Sequence, residues 1–87
     1  MENRILKGIL NYYEDEELLL ADGFDDAVIG VDESTMRIIY SSSRSIEILI
    51  ERDNMTPDEA LEYFDYNVKG AYIGDKTPIW CEDMLIE

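Results

Sequence analysis

Apolar residues recur at helical spacing from Ile5 onward, which predicts a first helix within residues 1–22. The acidic run at 14–17 (EDEE) interrupts this pattern. Like charges in adjacent turns repel each other, and acidic side chains oppose the dipole at a helix C-terminus. We therefore expect the helix to break at this run, to resume as a short turn over 18–20 (LLL), and to stop at Gly23.

Two stretches rich in β-branched residues follow, separated by the polar sequence DEST. They are 27–31 (AVIGV) and 36–41 (MRIIYS), and together they predict a β-hairpin. Strict alternation places Ile29 on the same face as Ala27 and opposite Val28.

Serines 41–43 then provide hydroxyl oxygens that suit the N-cap of a second helix, which we expect to run to about Asp53. Asn54 suits a left-handed cap at the end of that helix. The expected buried stripe consists of Ile46, Leu49 and Ile50.

The sequence Thr56-Pro57-Asp58-Glu59 has the form of a capping box with proline at the first helical position. It is the most specific local signal in the chain, and it predicts the start of a third helix. The residues that this helix is expected to bury are Ala60, Leu61, Phe64 and Val68.

The stretch 70–77 (GAYIGDKT) is close to the phosphate-binding pattern G-x-x-x-x-G-K-T. Asp75 replaces the second glycine, however, and places a carboxylate where backbone amides would meet a phosphate. The stretch also follows a helix and leads into a predicted strand, which is the reverse of the required context. We interpret it as a turn with Gly70 at the helix exit, followed by an edge strand that begins near Pro78.

These elements predict an α+β fold in a single small domain, residues 1–87, with the order α-β-β-α-α-β. The expected sheet has three strands, is mainly antiparallel and is packed by helices. The hairpin, the helix–turn–helix and the final strand occupy residues 24–80.

Twenty-one acidic residues against seven basic ones give a formal net charge of −14. This charge disfavours direct contact with nucleic acid or anionic membranes and favours a basic protein partner or a bound cation. The single cysteine, Cys81, excludes an intrachain disulfide and suits a reducing cytosol. The N-terminus lacks the pattern of a signal peptide, so we expect a cytoplasmic location.

The chain has no histidine, which excludes histidine-based acid–base catalysis and Ser-His-Asp or Cys-His systems within it. Zinc would have too few ligands, and Cys81 suits a packed position beside Trp80 better than a reactive one. We therefore expect no enzymatic activity, no cofactor and no metal.

Two alternatives stay open. A divalent cation or small ligand could use carboxylates near the hairpin, chiefly Asp25 and Asp26, together with the glycine-rich region 70–77. Asp32 and Glu33 also lie there, but the spacing of a calcium-binding loop is missing, and turn formation explains these acids better. The second alternative is a structural homo-oligomer that uses exposed apolar residues such as 18–20.

Acidic residues avoid the apolar stripes of the second and third helices. Residues four apart on a helix lie about 6 Å apart along its axis, a spacing comparable to that of successive phosphates. Tyrosine is enriched at protein interfaces. The predicted partner-binding residues are Glu47, Glu51, Asp58, Glu59, Glu62, Asp65, Tyr63 and Tyr66.

Residues 24–80 resemble a family of short, mostly uncharacterised proteins of bacteria and their phages. The shared pattern comprises an A-hydrophobic-I-G-V strand (27–31), Tyr40 at the end of the next strand, an M-T-x-x-E-A helix start (55–60) and an N-x-x-G-A-aromatic-x-G-x-x-T-P close (67–78). Ser41 stands where members of this family often carry aspartate. The phage association implies an inhibitor of a host system, such as an anti-CRISPR protein, that presents a nucleic-acid-like acidic surface to a basic nucleic-acid-binding protein.

Overall fold

Three short strands form a mixed sheet in the order β1-β2-β3, and the helices pack against it, as the predicted α+β fold requires. The computed structural model describes residues 3–71 and 73–83. The predicted positions Tyr72 and 84–86 therefore lie outside the described residues. The elements are α1 (Arg4–Tyr12), β1 (Val28–Asp32), β2 (Arg37–Ser41), α2 (Ser42–Asp53), α3 (Pro57–Tyr63) and β3 (Ile79–Cys81), with a 3₁₀ turn at Asp25–Ala27 and a π-helical segment at Phe64–Lys69.

Helix α1 begins at an asparagine cap that also ties it to the sheet. The Oδ1 of Asn3 accepts the amides of Ile5 and Leu6, at 2.8 and 3.2 Å. Its Nδ2 donates to the carbonyls of Asp25 and Val28, at 2.7 and 3.1 Å. One side chain thus satisfies two free amides of the helix and fixes the helix beside the start of β1.

The first helix is shorter than predicted, because it ends at Tyr12, just before the acidic run. The expected helical turn over 18–20 is wrong, since residues 17–21 have no regular secondary structure. Gly23 does not stop a helix either. It adopts φ +90° in a turn, a left-handed conformation that favours glycine.

Tertiary contacts hold the irregular segment 13–24 in place of helical hydrogen bonds. The amide of Ala21 donates to the hydroxyl of the buried Tyr40 at 2.6 Å. At the other end, the Tyr13 hydroxyl donates to the carboxylate of Glu33, and this bond to a negative acceptor raises the pKa of Tyr13 to about 12. The segment is therefore attached to β2 at Tyr40 and to the hairpin turn at Glu33.

The predicted hairpin is present, and β1 and β2 pair antiparallel. The alternation predicted for β1 is wrong, because a bulge lies between the pairs Val28–Tyr40 and Gly30–Ile39. Ile29 is the extra residue and its side chain is 44% exposed, whereas Val28 is buried. A bulge opposes two residues to one and so resets which side chains face the core.

The caps predicted for α2 and α3 are confirmed. The Ser41 hydroxyl accepts the amide of Arg44 at 3.0 Å, and Asn54 takes the left-handed conformation at φ 57° and ψ 33°. Thr56 and Glu59 form both bonds of the capping box, at 3.2 and 2.9 Å.

Of the four residues predicted to be buried in this region, Ala60 and Phe64 are fully buried and Val68 is half-buried. The prediction for Leu61 is wrong, since its side chain is 43% exposed. Ala60 and Phe64 are four residues apart and face the core together, and the next residue after Ala60 points about 100° away from it.

Strand β3 lies at the sheet edge, as predicted, with Pro78 just before it, but it pairs parallel to β2. The register sets Cys81 beside Ser41, and β2 continues directly into α2. Asp83 therefore reaches the N-terminus of α2. Its carboxylate accepts the Ser43 amide at 2.8 Å and the Ser41 hydroxyl at 2.5 Å.

One cluster of buried side chains joins these elements. Trp80 packs against its edge, with ring centroids 4.7 Å from Tyr40, 5.4 Å from Phe64 and 6.0 Å from Phe24. The buried members are Leu6, Ile9, Phe24, Ala27, Val28, Ile38, Tyr40, Ile48, Leu49, Ala60 and Phe64.

Candidate functional site: an acidic groove at the helix–turn–helix

A groove of about 660 Å³ lies where the end of α2 meets α3 and the π-helical segment. We call it the acidic groove, because four of its lining residues are carboxylates and none is lysine or arginine. The lining residues are Asp53, Asn54, Met55, Asp58, Glu59, Glu62, Tyr63, Tyr66 and Asn67.

The turn between the two helices creates this groove. Left-handed Asn54 ends α2 and redirects the chain, and two residues later the Thr56 cap starts α3. The end of one helix and the first turn of the next therefore lie side by side. The local cap signals that set this turn also place Asp53 and Asp58 in the lining of one groove.

The π-helical segment positions the aromatic part of the groove. π-Helical turns are rare and occur frequently at functional sites. Here the segment follows α3 without a break, buries Phe64 and presents Tyr66, whose side chain is 79% exposed. Gly70 ends it, and a side chain at Gly70 would meet the carbonyl oxygens of Asp65 and Tyr66 at 3.1 Å.

The eight predicted partner-binding residues are all exposed, and five of them line the acidic groove: Asp58, Glu59, Glu62, Tyr63 and Tyr66. The other three lie elsewhere. Glu47 and Glu51 pair with Arg44 at 3.3 and 3.2 Å, and Asp65 does not line the groove.

Sequence reasoning missed four residues of the groove, namely Asp53, Asn54, Met55 and Asn67. The first three surround the turn that was predicted correctly, so the cap at Asn54 was the signal that could have found them.

The carboxylates of the groove differ in their local partners. Asp58 and Glu59 occupy the first turn of α3, where negative charge is stabilised by the helix dipole, and Glu59 also completes the capping box. Asp53 pairs with Arg52 at 3.1 Å, and that hydrogen bond lowers the pKa of Asp53. Glu62 has no hydrogen-bond or ion-pair partner among residues 3–71 and 73–83.

Two of the carboxylates considered as a cation site, Asp32 and Glu33, accept side-chain hydrogen bonds. Asp32 accepts the hydroxyls of Ser34 and Thr35 at 2.8 and 2.9 Å, and these bonds, that from Ser34 first, lower the pKa of Asp32. Glu33 accepts the Tyr13 hydroxyl.

Asp25 and Asp26, the chief candidates, are exposed and line a separate depression together with Arg44 and Arg52. Within the described part of the chain, no three histidine, cysteine, aspartate or glutamate side chains are grouped so that they could hold a metal ion.

The glycine-rich stretch 70–77 contains the predicted turn. Gly74 has φ +115°, and its carbonyl accepts the Thr77 amide at 3.1 Å. The Thr77 hydroxyl accepts the amide of Ile73 at 3.3 Å, so this side chain bonds to its own loop.

Comparison with protein-family models, with curated proteins and with solved structures found no match to this chain. None of the helices in the described residues has the length and apolar character needed to cross a membrane.

Proposed function

We propose that this protein is a non-enzymatic, acidic interaction module that binds a basic surface of another protein through the acidic groove. One observation carries the proposal: four carboxylates and two tyrosines converge on one groove whose lining includes no lysine or arginine. Such a groove attracts lysine and arginine side chains, and its tyrosines supply the large contact area that binding sites favour.

The nature of the partner follows from charge. A net charge of −14 repels nucleic acids and favours the basic surfaces that bind them. Asp58 and Glu62 are four residues apart on α3, so they follow one another at about 6 Å along the helix. We therefore propose that the partner is a nucleic-acid-binding protein whose groove accepts this row of charges in place of phosphates. The resemblance to short phage proteins supports the narrower proposal of an inhibitor of a bacterial defence system.

Affinity capture from a bacterial lysate tests this proposal when salt and competing nucleic acid are both varied. The partner is expected to be a nucleic-acid-binding protein that is released as salt rises and as duplex DNA or structured RNA is added. Recovery that is indifferent to both would overturn the proposal.

Two charge-matched double variants give the control. Glu59→Gln/Glu62→Gln removes two charges from the groove, and glutamine at position 59 retains the capping box. Glu14→Gln/Glu17→Gln removes two charges from the segment after α1, outside the lining of the groove. We expect about tenfold weaker binding for the first variant and almost none of this loss for the second. Equal losses would show that only net charge matters.

A further inference from the structure

A second depression, of about 370 Å³, adjoins the acidic groove, and eight of its twelve lining residues are apolar. Tyr63 and Asn67 line both depressions, so they form a common ridge between them. We call the second depression the apolar cleft. Its principal apolar residues are Leu20, Phe24, Val68, Ile73, Pro78 and Trp80.

Two of these residues keep large apolar side chains in contact with solvent. Leu20 is 39% exposed and Ile73 is 54% exposed, and Trp80 is half-buried between them and the core. The one cationic residue in the lining, Arg52, already donates to the Gly23 carbonyl at 2.7 Å and pairs with Asp53. The lining also includes one carboxylate, Asp22, but eight of its twelve residues are apolar, so the cleft suits an apolar side chain better than a charged one.

We propose that the apolar cleft receives a large apolar side chain of the same basic partner segment that occupies the acidic groove. This inference rests on the proposed function and adds a recognition pattern to it. Charge complementarity places the basic residues of the segment over the acidic groove. Because the two depressions meet at Tyr63 and Asn67, the apolar residue of the same segment lies just across that ridge.

The ridge sets the spacing of the pattern. The ridge is one helical segment, which is about 10 Å wide, and an extended chain advances about 3.3 Å per residue. Roughly three residues of the bound segment therefore cross the ridge. The segment that fits has lysine or arginine residues over the acidic groove and one large apolar residue about three positions away.

A displayed library of random 12-residue peptides, selected on the immobilised 87-residue protein at low salt, tests this pattern directly. The expected peptides combine clustered basic residues with an apolar residue about three positions away. Basic peptides without a fixed apolar position would overturn the inference and leave the proposed function standing. Selection without basic enrichment would overturn both.

Two adjacent leucines of the protein provide matched variants whose binding to the selected peptides can be compared. Leu20 lines the apolar cleft, and Leu19, which is 37% exposed, does not. Leu20→Ser is expected to weaken binding about fivefold and Leu19→Ser to leave it unchanged. The loss should vanish when the apolar residue of the peptide is replaced by alanine. A loss that persists with the alanine peptide, or that equals the loss in Leu19→Ser, would contradict the inference.

A second pair of variants keeps the inference testable if Leu20→Ser fails to fold. Ile73→Ser alters a second residue in the lining of the cleft, and Ile29→Ser alters an exposed isoleucine on β1. Only the first is expected to weaken peptide binding, and circular dichroism establishes that both remain folded. If folded Ile73→Ser binds the peptides as tightly as Ile29→Ser does, the cleft does not hold the apolar residue of the peptide.

Discussion

Replacing Tyr40 by phenylalanine is expected to destabilise the fold through one lost hydrogen bond. The hydroxyl of this buried tyrosine accepts the Ala21 amide at 2.6 Å, and its ring lies 4.7 Å from that of Trp80. Phenylalanine keeps the ring contact and removes the acceptor, so the half-buried Ala21 amide loses its partner.

The expected loss can be estimated. An unsatisfied buried donor costs about 1–3 kcal/mol, and the half-buried position of Ala21 favours the lower half of that range, about 1.5 kcal/mol. For a chain of 87 residues, an unfolding entropy of about 2.1 cal/mol/K per residue converts this loss into a fall in Tm of about 8 °C.

Urea unfolding followed by circular dichroism is the suitable assay, because Trp80 fluorescence would itself respond to a change in its neighbour. The exposed Tyr66 provides a control, and Tyr66→Phe should leave stability within about 0.5 kcal/mol of the wild type. Hydrogen exchange gives a local readout, since the Ala21 amide should exchange faster in Tyr40→Phe. Unchanged stability together with unchanged exchange at Ala21 would refute the role assigned to this bond.

Two further predictions concern the N-terminus of α2. Ser41→Ala removes the cap and should lower the free energy of unfolding by about 1–2 kcal/mol. Ser42→Ala removes a buried hydroxyl that has no hydrogen-bond partner in the described residues, so it should leave the free energy of unfolding equal or higher. Urea unfolding distinguishes the two variants, and equal losses would contradict the assignment of Ser41 as the cap. Burial acts to raise the pKa of Asp83, but hydrogen bonds from Ser41 and Ser43 outweigh it and lower the pKa. The resulting stabilisation is present above the usual carboxyl pKa of about 4 and is lost as pH falls through the lower folded value. The loss of stability in Asp83→Asn relative to wild type should therefore be largest at pH 7 and should shrink as pH falls below about 4. A difference that stays constant over this range would exclude a charge effect.

Local signals in the sequence predicted the parts of the fold that depend on local chemistry. Ser41, Asn54 and the capping box from Thr56 to Glu59 each act within a few residues, and the structure places all of them as expected. Element order followed from the same signals and from the two apolar periodicities.

The features that sequence reasoning missed depend on distant contacts. The parallel pairing of β3 brings Asp83 to α2 across forty positions of the chain, and no local pattern encodes that register. The bulge at Ile29 changes the facing of one strand, although the sequence alternates as in a regular one. Segment 13–24 lacks helix because its bonding partners, Glu33 and Tyr40, lie in the hairpin.

The candidate site was predicted in part for similar reasons. Asp58, Glu59 and Glu62 belong to one helix, so their common exposure follows from helical spacing. Glu47 and Glu51 share that spacing on α2, but Arg44 pairs with both and neither lines the groove. The packing of the helices determines which of the two acidic helical faces lies at the turn. Composition alone does not encode this packing.

The carboxylates of the acidic groove differ in how strongly each one supports a binding role. Asp58 and Glu59 stabilise the start of α3, and Asp53 pairs with Arg52, so selection for folding alone accounts for all three. Folding does not account for Glu62, whose charge has no ion-pair partner among residues 3–71 and 73–83 and adds to the repulsion within an already acidic chain. Tyr66 is similar, because a largely exposed aromatic ring contributes little to the core. Glu62 and Tyr66 are therefore the residues that point most directly to a binding partner.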